Sequence, residues 1–195
     1  MRGQLAGDAR RVGAEAGRAG APCGGPLPGR LPAGSAARFE RAILPFQAFL
    51  EIVGEESQRA ALASVHGCLA PGGRFVCTLH NPAVRRAQVD GLLRLVGRFP
   101  AEEGTLVVSG FEQGGNPVVK RLQFFELFGA DGRLLWKRLL PMEFALIERD
   151  AFEQMAGSAG FRVAALHGSY DRAPFDPVRS PVMIWELEKE ADRGE

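Results

Sequence analysis

The chain has 195 residues, 46% of them hydrophobic and 24% charged, which suits one ordinary globular domain with a buried core. Its formal net charge of +1 gives no electrostatic reason to expect nucleic acid or an anionic membrane as partner. No apolar run approaches the ~20 residues that span a bilayer, and no apolar segment of the secretory kind opens the chain, so the expected location is the cytoplasm.

Residues 1–38 are almost wholly Gly, Ala, Arg and Pro and include no aromatic residue. The stretch 21–34 (APCGGPLPGRLPAG) suits neither a helix nor a central strand. Such a segment buries too little apolar surface to offset the entropy of ordering it, so 1–38 is expected to be a disordered leader. From residue 39 the signal is dense. Residues 39–44 (FERAIL) read as a strand ended by Pro45. Residues 55–69 place Ala61, Leu62, Val65, Cys68 and Leu69 at helical spacing, with Glu55 and Glu56 in the first turn. Pro71-Gly72-Gly73 stops that helix, and 74–79 (RFVCTL) is apolar enough for a strand buried on both faces. Strand, helix and strand make one right-handed βαβ unit.

Residues 84–96 read as a further helix. Three β-rich runs follow, 104–112, 118–128 and 134–144, separated by Gly114-Gly115-Asn116-Pro117 and Gly129-Ala130-Asp131-Gly132. They predict an antiparallel meander. A helix over 148–157 and strands over 161–166 and 182–188 complete the domain, 39–189, before a polar tail at 190–195. The three cysteines, Cys23, Cys68 and Cys77, form neither a disulfide framework nor a zinc pattern, so no metal is expected.

Three stretches, in this order, carry a family resemblance. RFERAILPFQAFL (38–50) is similar to a fourth strand and the loop after it, with Glu40 where an Asp is usual. RAALASVHGCLAPGGRFVCTLHNP (59–82) contains a helix, an L-x-PGG turn and a fifth strand. FEQMAGSAGFRV (152–163), with GSYDRAPFD and SPVMIWELEK, looks like a last helix, an AGF turn and a final antiparallel pair. Together they resemble the C-terminal part of a class I S-adenosylmethionine (SAM) methyltransferase. The implied fold is α/β: part of a seven-stranded sheet with antiparallel last two strands and an inserted β meander. The chain contains no G-x-G, the spacing with which that family's backbone approaches the cofactor nucleoside. Gly7-Asp8 is a faint trace of the family's adenine-contacting motif, which makes Asp8 a candidate cofactor residue.

The resemblance implies SAM as cofactor and a small-molecule methyl acceptor. It places Pro45 and Phe46 beside the cofactor and Gln47 and Asn81 beside the acceptor, at the carboxyl ends of two strands. Tyr170 and Asp171 join the acceptor side from the loop before the last strand, where His167 is also found. His80 is the candidate base or orienting partner; a strand-end histidine bonded to backbone is the competing reading. Glu112 and Glu126 read as solvent-face residues of the meander, and His66 as a solvated helical position. Two other readings stand beside the enzyme. The chain is a non-catalytic, methyltransferase-like partner or regulatory subunit that homodimerises or has its sheet completed by another subunit. Alternatively, the coding sequence starts upstream of Met1.

Overall fold

The computed structural model describes residues 39–190. The leader reading of 1–38, Cys23 and residues 191–195 of the tail lie outside the described residues. Two four-stranded sheets make up the molecule. Strand β1 (Phe39–Leu44) leads through a single 3-10 turn, Ala48–Glu51, to helix α1 (Glu55–Cys68) and strand β2 (Leu69–His80). A short helix α2 (Pro82–Arg86) follows, and then the meander of β3 (Arg94–Ala101), β4 (Gly104–Gly114), β5 (Val118–Gly129) and β6 (Leu134–Ala145). Helix α3 (Arg149–Ser158) and the strands β7 (Phe161–His167) and β8 (Val182–Lys189) return the chain to the first sheet.

The first sheet has the order β1-β2-β8-β7. Strands β1 and β2 are parallel, as the βαβ reading requires, while β8 runs antiparallel to both of its neighbours. Register puts Phe75 opposite Leu187, Cys77 opposite Trp185 and Leu79 opposite Met183. All six are at most 1% exposed, forming one apolar face. Leu62 of α1 and Phe152, Met155 and Ala156 of α3 pack into the same core. At 20–33 cal/mol per Å², a fully buried Leu or Phe side chain contributes about 1.5–3 kcal/mol, so this face is the main source of stability. Burial also raises the Cys77 thiol above its ordinary range, which makes it inert packing. The opposite face, where Ile43 lies beside Val76, is partly open among the described residues.

Lys189 ends β8 and is 6% exposed. Its ammonium donates to the carbonyls of His66 and Leu69, each at 3.0 Å, and so closes the C-terminal end of α1. The sheet therefore holds the helix by a polar clamp as well as by apolar contact.

The meander meets this core at its base, through Val119 and residues 144–147. Leu134, Leu135, Trp136, Leu139 and Leu140 of β6 are all exposed, as are Leu95 and Phe99 of β3. The structure departs from three expectations. Strand β2 begins at Leu69 and runs through Pro71-Gly72-Gly73, which form an irregularity in the β1–β2 pairing. The helix expected over 84–96 is only Pro82–Arg86, and its second half is a turn entering β3. His66 is half-buried, its ring edge-on to Phe161 at 5.2 Å between centroids.

Candidate functional site

Leu44 pairs with Cys77 in the parallel β1–β2 ladder, so residues 45–47 stand beside residues 78–80 at the carboxyl end of the sheet. The backbone there is strained. Phe46 and Gln47 have φ of 57° and 59°, two consecutive non-glycine residues in the left-handed region. Each such residue costs on the order of 1 kcal/mol or more and persists only where its surroundings dictate it. The surroundings are clear: Phe49 and Leu50, each 1% exposed, must enter the core immediately after β1 ends. The reversal is closed by hydrogen bonds from Ala48 N–H to the Pro45 carbonyl at 3.3 Å and from Leu50 N–H to the Gln47 carbonyl at 2.9 Å. Phe46 is left 82% exposed beyond the strand end. Phe46→Gly is expected to stabilise the fold by up to about 1 kcal/mol, because relief of the left-handed strain outweighs the added freedom of the unfolded chain. An unchanged or lower urea midpoint would refute this.

His80 ends β2, half-buried, with its ring 6.0 Å from that of Phe144. Burial, with the Arg85 and Arg121 charges adding to it, lowers its pKa to about 4. A neutral imidazole of that basicity is a hydrogen-bond partner and a poor proton acceptor. The unfolded chain, with an ordinary histidine near 6.5, takes up a proton below that pH that the folded chain refuses until about pH 4. This contribution to stability is complete above pH 6.5 and lost on acidification toward 4, with a limit of about 3 kcal/mol. In thermal melts between pH 4 and 7, His80→Gln should fall less steeply than the parent; identical acid limbs would refute the assignment.

Asn81 is 3% exposed and its amide is fully engaged. Its Oδ1 accepts from Ala83 N–H at 3.2 Å, capping α2, and its Nδ2 donates to the carbonyls of Pro177 at 3.0 Å and Ser180 at 2.8 Å. Asn81 thus fastens the β7–β8 loop over the end of β2. Tyr170 and Asp171 lie in that loop, at the same end of the sheet as His80 but on the far side of β8. Tyr170 is 70% exposed. Asp171 accepts from the Ser169 hydroxyl and from Ala173 N–H, and these bonds hold its carboxyl below the ordinary range. His167 meets Glu186 at 3.1 Å. Two strand spacings, about 10 Å, separate β7 from β2, and among the described residues no hydrogen bond joins Tyr170 or Asp171 to the residues at the ends of β1 and β2. Asp8 lies outside the described residues.

Sequence reasoning missed one cluster. Glu112 is not a solvent-face residue: its side chain and that of Arg85 are each 13% exposed and ion-paired, with Arg121 at 3.7 Å from the same carboxylate. The cluster borders a cleft of about 500 Å³ between α2 and the meander, near His80. The available signal was the alternation along β4 and β5, which pairs Glu112 with Arg121. Glu126 pairs with Lys137 at 2.8 Å on the meander surface. Among the described residues, no group of His, Cys, Asp and Glu is arranged to hold a metal ion, and no helix is long and apolar enough to cross a membrane.

No protein-family model matches the chain, and no curated protein matches it. Solved structures do. An S-adenosylmethionine-dependent methyltransferase from Clostridium acetobutylicum superposes with a TM-score of 0.68 at 10% identity, over 84% of this chain and 62% of that one. The methyltransferase CcbJ from Streptomyces caelestis gives 0.65 at 19% identity, over 84% and 61%. The sugar N-methyltransferase KedS8 from a Streptoalloteichus species gives 0.63 at 14%, over 84% and 60%. At these identities the likeness is one of fold: the chain has the class I methyltransferase-like α/β fold, with an antiparallel last pair and an inserted meander. It spans about three fifths of the length of the structures it matches.

Proposed function

We propose that this chain supplies the acceptor side of a SAM-dependent methyl transfer to a small molecule. The observation that carries the reading is the strained Phe46–Gln47 reversal at the carboxyl end of β1, beside the end of β2 where His80 lies. Ligands of open α/β sheets sit beyond that end. SAM, when bound, supplies an electrophilic methyl group; the protein's task is to hold the acceptor in line with it, away from water. Pro45, Phe46 and Gln47 are suited to the rim of such a site. The described residues include no G-x-G turn, and among them no strand pairs with the outer side of β1. The sugar and amino-pentose methyltransferases among the fold neighbours support a small-molecule acceptor.

A second reading is favoured by the exposed flank of β1. Phe39 and Ile43 are 51% and 68% exposed, and no strand pairs with the outer edge of β1 among the described residues. Such an edge accepts a strand from elsewhere. On this reading the chain is a non-catalytic subunit, paired with itself or with another protein that completes the sheet.

Titration calorimetry of the 195-residue chain with SAM, and with S-adenosylhomocysteine, tests the first reading. One micromolar site per chain is the expected result. A folded chain that binds neither ligand would defeat catalysis by this chain alone. A stable dimer in sedimentation would then support the subunit reading.

A further inference from the structure

The cleft between α2 and the meander has a charge imbalance that the methyl-transfer reading does not use. Four of its lining side chains are ionised: Arg85, Arg94, Arg121 and Glu112. Arg94 is answered by Asp90, which it grips through both guanidinium Nη atoms at 2.7 and 2.5 Å. That leaves two guanidinium groups facing one carboxylate.

Arg85 is the fixed member of the pair. It bonds Glu112, donates to Gln88 Oε1 at 3.1 Å and stacks over the Phe144 ring at 5.4 Å. Arg121 reaches Glu112 only at 3.7 Å, beyond hydrogen-bonding distance, and keeps 31% of its side chain exposed. Its planar fork of donors is therefore held at the cleft with no full partner, the arrangement that recognises a carboxylate or phosphate. The field of the pair is felt nearby, where both arginines disfavour a proton on His80. Leu92, Leu95 and Phe111 give the same cleft an apolar wall, suited to the uncharged body of a small molecule carrying such a group.

We propose that this cleft binds an anionic group, a carboxylate or a phosphate, seated on Arg121 with Arg85 and Glu112 holding the geometry, and that the methyl acceptor carries this group. As a statement about the acceptor it rests on the methyl-transfer reading; as a statement about anion binding it stands without it.

The test is calorimetric titration of the full 195-residue chain with inorganic phosphate, glucose 1-phosphate, glucuronate and neutral glucose, at one ionic strength set with sodium chloride. At least one anion should bind tenfold or more tighter than glucose. Glucose 1-phosphate over glucuronate identifies a phosphate, and the reverse order a carboxylate. Arg121→Gln should weaken that anion at least tenfold, and Arg121→Lys, which keeps charge but not the fork, should fall between. Thermal melts verify that each variant is folded, and the lysine variant carries the comparison should the glutamine variant not fold. No preference for any anion over glucose, or unchanged binding in a folded Arg121 variant, overturns the proposal. SAM titrated in parallel separates the two readings. Anion binding without SAM binding keeps the site and defeats methyl transfer by this chain; SAM binding without anion binding does the opposite.

Discussion

Glu112→Gln should destabilise the protein by about 3–5 kcal/mol, seen as a large drop in the urea midpoint at pH 7. The side chain looks replaceable, being a surface-type residue near the end of a long strand. It is, however, the only carboxylate facing Arg85 among the residues of the cleft, and both side chains are 13% exposed. Removing its charge leaves a guanidinium mostly out of water with no counter-ion. The bond it makes is also long in sequence, joining residue 85 of α2 to residue 112 of β4 and so fastening the meander to the helix that follows β2. The double variant Arg85→Met, Glu112→Leu removes both charges together and should lose clearly less than the sum of the single variants, a coupling readable in a double-mutant cycle. Additive losses, or a change below 1 kcal/mol for Glu112→Gln, would show the pair to be an ordinary surface contact worth no more than the usual exposed ion pair.

Phe152→Ala is expected to cost a similar amount, about 3–5 kcal/mol, through different physics. Phe152 is fully buried at the centre of the core. Its ring lies edge-on to Phe49 at 5.4 Å and tilted against Trp185 at 5.1 Å, so it joins α3 to the 3-10 turn on one side and to β8 on the other. Truncation removes both ring contacts and opens a cavity that three separate elements cannot jointly collapse. Phe152→Met keeps most of the volume and should lose only roughly 1–2 kcal/mol. Equal losses for the two substitutions would mean that ring geometry, rather than volume, sets the cost.

The first sheet was legible because its segments are locally consistent. FERAIL, the Glu55-led amphipathic helix and the apolar final strands each carry one period and clear stops, and β1 is found where it was read. The helix expected over 84–96 failed for a reason that can be named. Leu92, Leu93 and Val96 keep a helical spacing, and Asp90 and Arg94 form an i,i+4 pair, yet Gly91 has φ 75° and the Asp90 carboxylate accepts from Leu92 N–H at 3.0 Å. That turn, together with the pairing of β3 to β4, outweighs weak local propensity. Pro71-Gly72-Gly73 read as a boundary, whereas the pairing of β2 with β1 absorbs it as an irregularity.

The candidate site was legible only in position. Residues 45–47 and 80–81 lie at the carboxyl ends of two adjacent strands, at the same end of the sheet because those strands pair in parallel. That Phe46 and Gln47 are left-handed had no sequence signal, since neither is the Gly or Asn that usually marks such a turn. That Asn81 is a loop fastener depends on carbonyls of Pro177 and Ser180, nearly a hundred residues away. The burial of Glu112 likewise depends on Arg85 of another element; the alternation along β4 and β5 signals only its pairing with Arg121.

The place of β8 in the sheet has a consequence for biosynthesis. It lies between β2 and β7, yet it is the last of the described strands to be made, about a hundred residues after the β2 segment it covers. At ribosomal rates of roughly 5–20 residues per second, Phe75, Cys77 and Leu79 wait on the order of 5–20 seconds for Met183, Trp185 and Leu187. A nascent chain paused within that interval presents an unfinished apolar strand face to solvent, the kind of surface that holding chaperones bind. Messages cut short before codon 182 would yield products that never hide it. Covering that face is therefore tied to the synthesis of β8 rather than to that of β2's neighbours in sequence.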